Sequence, residues 1–178
     1  IRVISKNGFY NTKISQIAET GAVAVGTIYN YFDNKEEILE YIFKVELEKR
    51  IKFLEEISNY LKSFWDKIEL FLQKHFHEVS KNLDTAKVLI EEKEFPGRAE
   101  TSAIYQYKST IPRKIKEMLE EALTQNEIKE CNTEIIASLF FGAIRGIVEK
   151  SIKNEDPELL NKAPEEVLKL LKQGLISS

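Results

Sequence analysis

Residues 13–32 read KISQIAETGAVAVGTIYNYF, and DNKEEIL follows at 33–39. Ile14, Ile17 and Ala18 recur at steps of three and four, so they share one face of a short helix from about Lys13 to Thr20. Gly21-Ala22-Val23 makes a three-residue turn, and a second short helix follows from about Ala24 to Tyr31. Two short helices joined by such a glycine-containing turn form a helix-turn-helix. Val23, Ile28 and Phe32 complete the small core that the unit needs. The second helix of this motif enters the major groove of DNA by its first turns. Upstream, residues 1–7 read as the tail of a helix stopped at Asn7-Gly8. Thr12 stands as a candidate N-cap for the helix after it, with Ser15 in place of the Glu of a capping box. Downstream, Lys35-Glu36-Glu37 opens a long helix whose acidic residues lie near the positive end of its dipole.

The rest of the chain continues the helical pattern. Neither Gly nor Pro occurs from Thr27 to Phe95, which excludes a series of tight β-turns. One apolar helical face runs through Leu61, Phe64, Trp65, Ile68, Phe71, Leu72, His75, Phe76 and Val79. A second runs from Ile104 through Ile111, Ile115 and Met118 to Leu123, and a third from Ile135 through Leu139 and Phe140 to Val148. The fold class is therefore all-α: a helix-turn-helix domain over residues 1–43, followed by a larger helical bundle over 44–178. Pro96-Gly97 predicts a break, and Pro112 a kink or a late helix start. Asn132 or Thr133 caps the helix that begins near Glu134, and Asp156-Pro157 starts another. A last short helix is expected from Pro164 to about Gly174.

Composition bounds the functions available. The chain has 178 residues, 43% hydrophobic and 31% charged, a balance that excludes disorder as its main state. Cys131 is the only cysteine, so an intrachain disulfide is excluded and a cytoplasmic location is expected. No apolar run approaches the roughly 18 residues that span a bilayer, and no membrane partner is expected. Averaged over the whole chain, the net charge of −3 disfavours nucleic acid. Yet residues 1–35 hold Arg2, Lys6, Lys13 and Lys35 against Glu19 and Asp33, a net of +2, so the rest of the chain carries −5. The helix-turn-helix is a cationic head on an acidic body. Catalytic readings find no support: no Glu precedes a His by three, His75 and His77 are too close in sequence to chelate one metal, and no phosphate-binding glycine loop occurs. Neither enzymatic activity nor a bound metal is expected.

The strings Gly8-Phe9, Ile17-Ala18-Glu19 and above all 26–39, GTIYNYFDNKEEIL, resemble the TetR family of bacterial transcriptional regulators. The resemblance is strong over about residues 1–45 and architectural beyond. It implies double-stranded operator DNA as a partner. Thr12 and Lys13 would meet phosphates at the start of the first motif helix; Gly26 would let the recognition helix approach closely. Thr27, Tyr29 and Asn30 would face bases or backbone, while Tyr31 and Lys35 match the family's phosphate-contacting tyrosine and lysine. Three departures stand out. The turn reads Gly21-Ala22-Val23 where Ala-Gly-Val is usual; Ala24 replaces a capping Ser or Thr; and Val25 replaces a Lys or Arg, leaving at most a thymine-methyl contact. Ile1 falls mid-helix in the family's first helix, so a longer native N-terminus with a basic arm is expected.

The resemblance also implies a homodimer through the last two helices and a small-molecule effector in the bundle. Gly142 and Gly146 offer a small-residue face for a neighbouring helix, of the same or of another chain. Trp65, Phe71, Phe76, Tyr105, Phe140 and Phe141 are either effector-lining or core aromatics, and His75 either touches effector or is a satisfied core histidine. Arg145 would pair with an anionic head group or with Glu149. Lys74-His75-Phe76, residues 126–130 and residues 140–144 are similar to TetR-type repressors of fatty-acid degradation, which implies a long-chain acyl-CoA or fatty acid as effector. No other cofactor is expected. The alternatives are a multidrug sensor, for which Glu91, Glu92 and Glu94 are the nearest acidic run, and a helical interaction module that binds no DNA.

Overall fold

The computed structural model describes residues 1–60, 63–91 and 102–176, and among these every regular element is a helix. In order they are α1 (Arg2–Asn7), α2 (Ile14–Thr20), α3 (Val25–Tyr29), α4 (Lys35–Tyr60), α5 (Phe64–Lys81), α6 (Leu83–Glu91), α7 (Ala103–Thr124), α8 (Thr133–Asn154) and α9 (Glu158–Leu175). Two compact units result. The first comprises Ile1–Glu48 with Leu83–Tyr107, and the second Lys49–Asn82 with Lys108–Ser178. The first unit is larger than a head of 43 residues, because α4 continues past that point and α6 packs on α1.

The core of the first unit is built on Ile4, Phe9, Ala18, Leu39 and Phe43, each almost wholly buried. Phe43 meets Tyr107 edge-on at 5.5 Å between ring centres. Ser5, buried on α1, donates to the Asp84 carboxylate of α6 at 2.5 Å. Glu40 Oε2 accepts from the Ala103 amide at 2.7 Å and so receives the start of α7. In the second unit Ile68, Leu72 and Phe76 of α5 are buried with Ile115 and Leu119 of α7 and Leu160 of α9. Here α9 packs along α5 and α8. The Lys129 amide donates to Leu175 O at 2.8 Å, fastening the end of α9. Lys67, 4% exposed, pairs with Glu121 of α7 at 3.0 Å.

Caps and breakers behave differently from expectation at several places. Thr12 is no N-cap: it is 2% exposed, and its hydroxyl donates back to Gly8 O at 2.8 Å. The cap position belongs to Lys13, whose amide donates to Gln16 Oε1 at 2.9 Å. Asn132 caps α8, accepting from the Ile135 amide at 3.1 Å, and Asp156 accepts from Glu158 at 3.1 Å. Pro164 does not begin a helix; it lies inside α9, which also runs one residue past Gly174. Proline's fixed φ suits a helix, so its cost there is one missing amide bond and crowding of the turn before it. Pro112 likewise lies inside α7. Asn82 separates α5 from α6 without Gly or Pro. Pro96-Gly97 lies outside the described residues.

The turn between α2 and α3 explains the displaced glycine. Gly21 adopts an ordinary right-handed conformation at φ −82°, whereas Ala22 takes the left-handed one at φ 53°. A Cβ on Gly21 would meet nothing closer than Ile17 O at 3.4 Å, an ordinary contact. The glycine therefore occupies the position that does not need it. Left-handed backbone costs an L-residue about 1 kcal/mol. Ala22→Gly, alone or combined with Gly21→Ala, should stabilise the protein by about 1 kcal/mol in urea denaturation. An unchanged or lower midpoint would show that the turn relaxes without strain.

Candidate functional site

The helix-turn-helix presents α3 outward. None of the α3 residues is buried, and Val25 and Tyr29 are 40% and 53% exposed. Thr27 and Asn30 are exposed as well, their amides tied to Ala24 O and Gly26 O. Asn30 and Tyr31 fall just past the end of α3, in the turn before α4, and Tyr31 is 77% exposed. A Cβ on Gly26 would meet no described atom within 4 Å, so no packing within the chain demands a glycine there. Phe32 is half-buried and rests edge-on against Tyr41 of α4 at 5.6 Å, in keeping with a core role. Lys13, at the start of α2, is exposed. Val25, Gly26, Thr27, Tyr29, Asn30 and Tyr31 thus share one short solvent-facing segment, with polar and aromatic groups suited to base edges and phosphates.

Two of the nine candidates for this surface are hydrogen-bonded within the chain. The Thr12 hydroxyl is buried and bonded to Gly8 O. The Lys35 ammonium donates to three main-chain carbonyls, of Phe9 at 2.6 Å, Thr12 at 2.9 Å and Tyr10 at 3.1 Å. The resemblance implies phosphate contacts for both; within the chain, the α1–α2 connection bonds them.

In the second unit four of the effector candidates come together. Phe71, Phe76 and Phe140 are each at most 4% exposed. The His75 ring stacks on Phe71 at 5.8 Å and 19°, and meets Phe76 edge-on at 5.4 Å. Phe71 also leans on Phe140 of α8 at 5.9 Å. Nε2 of His75 is buried without a hydrogen-bond partner. Burial, and secondarily the Arg50 guanidinium on α4, pushes the His75 pKa down from 6.5 to about 3. The imidazole is therefore neutral at pH 7, in an apolar cluster with a cationic neighbour. Sequence periodicity found the aromatics but not Arg50, which stands in the charged stretch 46–52 where nothing local marks it.

The remaining candidates are placed apart. Trp65 is ten residues before His75 on α5, roughly 15 Å along the axis. Its indole is directed to Glu127 O at 3.4 Å, and the Phe64 amide donates to Glu127 Oε2 at 2.8 Å, so Trp65 helps to anchor the start of α5. Tyr105 belongs to the first unit. Phe141 and Arg145 are half-buried on α8. Along α8 and α9, Ile135, Leu139 and Leu170 are 56–66% exposed, and added Cβ atoms on Gly142 and Gly146 would meet open space. No described helix is long and apolar enough to cross a membrane.

Since burial holds His75 neutral, the unfolded chain binds its proton more readily than the folded one below pH 6.5. The fold should therefore lose stability as pH falls from about 6.5 towards 3. His75→Leu should lose less, the difference between variant and parent shifting by up to about 1.4 kcal/mol per pH unit. Parallel stability–pH curves would contradict a buried neutral imidazole.

Comparison with known proteins follows the same division. The family pattern described as "Bacterial regulatory proteins, tetR family" matches residues 1–42. The fatty acid metabolism regulator protein of Bacillus subtilis (strain 168) is 29% identical over 179 aligned positions, covering 98% of this chain and 91% of the relative. A crystal structure of the transcriptional regulator FadR from Bacillus subtilis, in complex with stearoyl-CoA, superposes with a TM-score of 0.85 at 29% identity. It covers 95% of this chain and 91% of that one. The fatty acid degradation regulator FadR from Bacillus halodurans shares the fold, with a TM-score of 0.85 at 23% identity, over 95% of this chain and 88% of that one.

Proposed function

We propose that the chain is a DNA-binding regulator of the tetR type, and within that class a homodimeric repressor released from its operator by a long-chain acyl-CoA. The observation that carries this reading is near-full-length similarity to a regulator whose structure holds stearoyl-CoA. Two features of the chain agree with it. The cluster of Phe71, His75, Phe76 and Phe140 is apolar, as the lining of an acyl-chain site would have to be. The charge felt at His75 is the cation of Arg50, which suits an anionic or carbonyl-bearing effector. A sensor of lipophilic cations needs a carboxylate among its aromatics; the charged residue buried in the described part of this unit is Lys67, and Glu92 and Glu94 lie outside the described residues.

Operator binding would use α3, with Val25, Gly26, Thr27, Tyr29, Asn30 and Tyr31 in the groove and Lys13 beside the backbone. The exposed apolar stripe of Ile135, Leu139 and Leu170, with Gly142 and Gly146, would cover itself against a second copy across a two-fold axis. A dimer places two heads about 34–36 Å apart, one turn of DNA. Effector that binds the DNA-incompetent state more tightly then lowers operator affinity by the ratio of its two affinities.

A gel-shift with the DNA upstream of the protein's own gene tests this. The fragment should be retarded, then freed by micromolar stearoyl-CoA but not by free coenzyme A. Release by lipophilic cations alone would replace the effector class, and the absence of any shift would favour a module that does not bind DNA.

A further inference from the structure

Lysine in the first turn of a long helix faces the positive end of the dipole and is there at a cost. Lys35 is the first residue of the 26-residue helix α4, followed by Glu36 and Glu37, so its position needs a compensating partner. That partner is the α1–α2 connection. The carbonyls of Phe9, Tyr10 and Thr12 converge on one point, and Lys35 Nζ stands there at 2.6, 3.1 and 2.9 Å. An ammonium has three protons, and all three are engaged. The same nitrogen lies 4.5 Å from the centre of the Phe9 ring, itself 1% exposed.

Both sides of this contact are rigid. On the helix side, Asn34 Oδ1 accepts from the Glu37 amide at 2.9 Å, and Glu37 Oε2 accepts from the Asp33 amide at 2.9 Å. These two bonds fix the first turn of α4, where Lys35 stands. On the loop side, Thr12 is bonded to Gly8 O and to Phe9 O, and Asn11 Nδ2 donates to Asn7 O at 3.1 Å. The loop ends at Lys13, the cap of α2, and α3 packs on α2.

We propose that Lys35 is a positioning residue for DNA binding: its ammonium binds the Phe9, Tyr10 and Thr12 carbonyls and so sets α2 and α3 relative to the first turn of α4, without contacting phosphate. This rests on the DNA-binding reading and adds to it. Lys35→Arg keeps the charge, but a planar guanidinium cannot donate to three oxygens converging on one point. Lys35→Met keeps the stem and removes the charge. With the DNA upstream of the protein's own gene, both variants should bind roughly tenfold more weakly. Plots of log affinity against log KCl should stay parallel to the parent's. A phosphate ligand behaves otherwise: Lys35→Arg would retain affinity, and Lys35→Met would flatten the slope by about 0.9. Either of those results, or unchanged affinity in both variants, overturns the proposal.

NMR of the parent protein decides the matter if Lys35→Met fails to fold. The Lys35 ammonium signal should be visible in the free protein, protected from exchange, and unmoved by added DNA. A signal that appears or shifts only with DNA refutes the brace. Failure of the parent to bind the fragment counts against DNA binding, and the ammonium signal of the free protein still decides for or against the brace.

Discussion

A helix of five residues cannot stand alone in water, and the exposed second helix of the helix-turn-helix is one of that length. The segment α3 (Val25–Tyr29) buries none of its own side chains, so its neighbours hold it in place. The Val23 amide bonds Ala18 O, Gly21 bonds Ile17 O, and Thr27 bonds Ala24 O, which locks the turn to the end of α2. The stability of the head comes from Ile4, Phe9, Ala18, Leu39 and Phe43 beneath. This division leaves Val25, Thr27 and Tyr29 exposed, outside the core that holds the head together. At Gly26 an added Cβ would meet open space, so no contact within the chain calls for the glycine.

The second unit solves the opposite problem. Its apolar surface is ample, and the question is where polarity is admitted. A neutral imidazole among three phenylalanines, with a guanidinium near enough to depress its pKa, is a polar point in an apolar cluster. Burying a polar nitrogen without a partner costs on the order of 1–3 kcal/mol. In a regulator such a group is useful if a ligand can satisfy it, since that satisfaction is a differential free energy between bound and free states.

The helical class, the helix-turn-helix and the start of α4 were legible because their signals are local: apolar residues at helical spacing, a glycine turn, and Asn34 with Glu37 at capping distance. The resemblance gives Thr12 and Lys35 phosphate contacts, and nothing local in the sequence shows that the α1–α2 connection folds back to bond both. Pro164 gave the usual signal of a helix start, yet packing along α5 and α8 carries α9 through it. The break at Asn82 has no Gly or Pro to announce it. Phe71, His75, Phe76 and Phe140 were legible as a set, whereas Arg50 and the anchoring role of Trp65 depend on which helices meet.

Charge shows the same lesson from the other side. A total of −3 averages a cationic head over an acidic remainder, and only the head has to meet phosphate. The central claim is a thermodynamic coupling between operator and acyl-CoA, and coupling is reciprocal. The most direct measurement is therefore the affinity for stearoyl-CoA of the free protein and of the protein saturated with its operator. The account predicts weaker binding to the DNA-bound form, by the same factor by which stearoyl-CoA weakens DNA binding. Equal affinity for the two forms would contradict it.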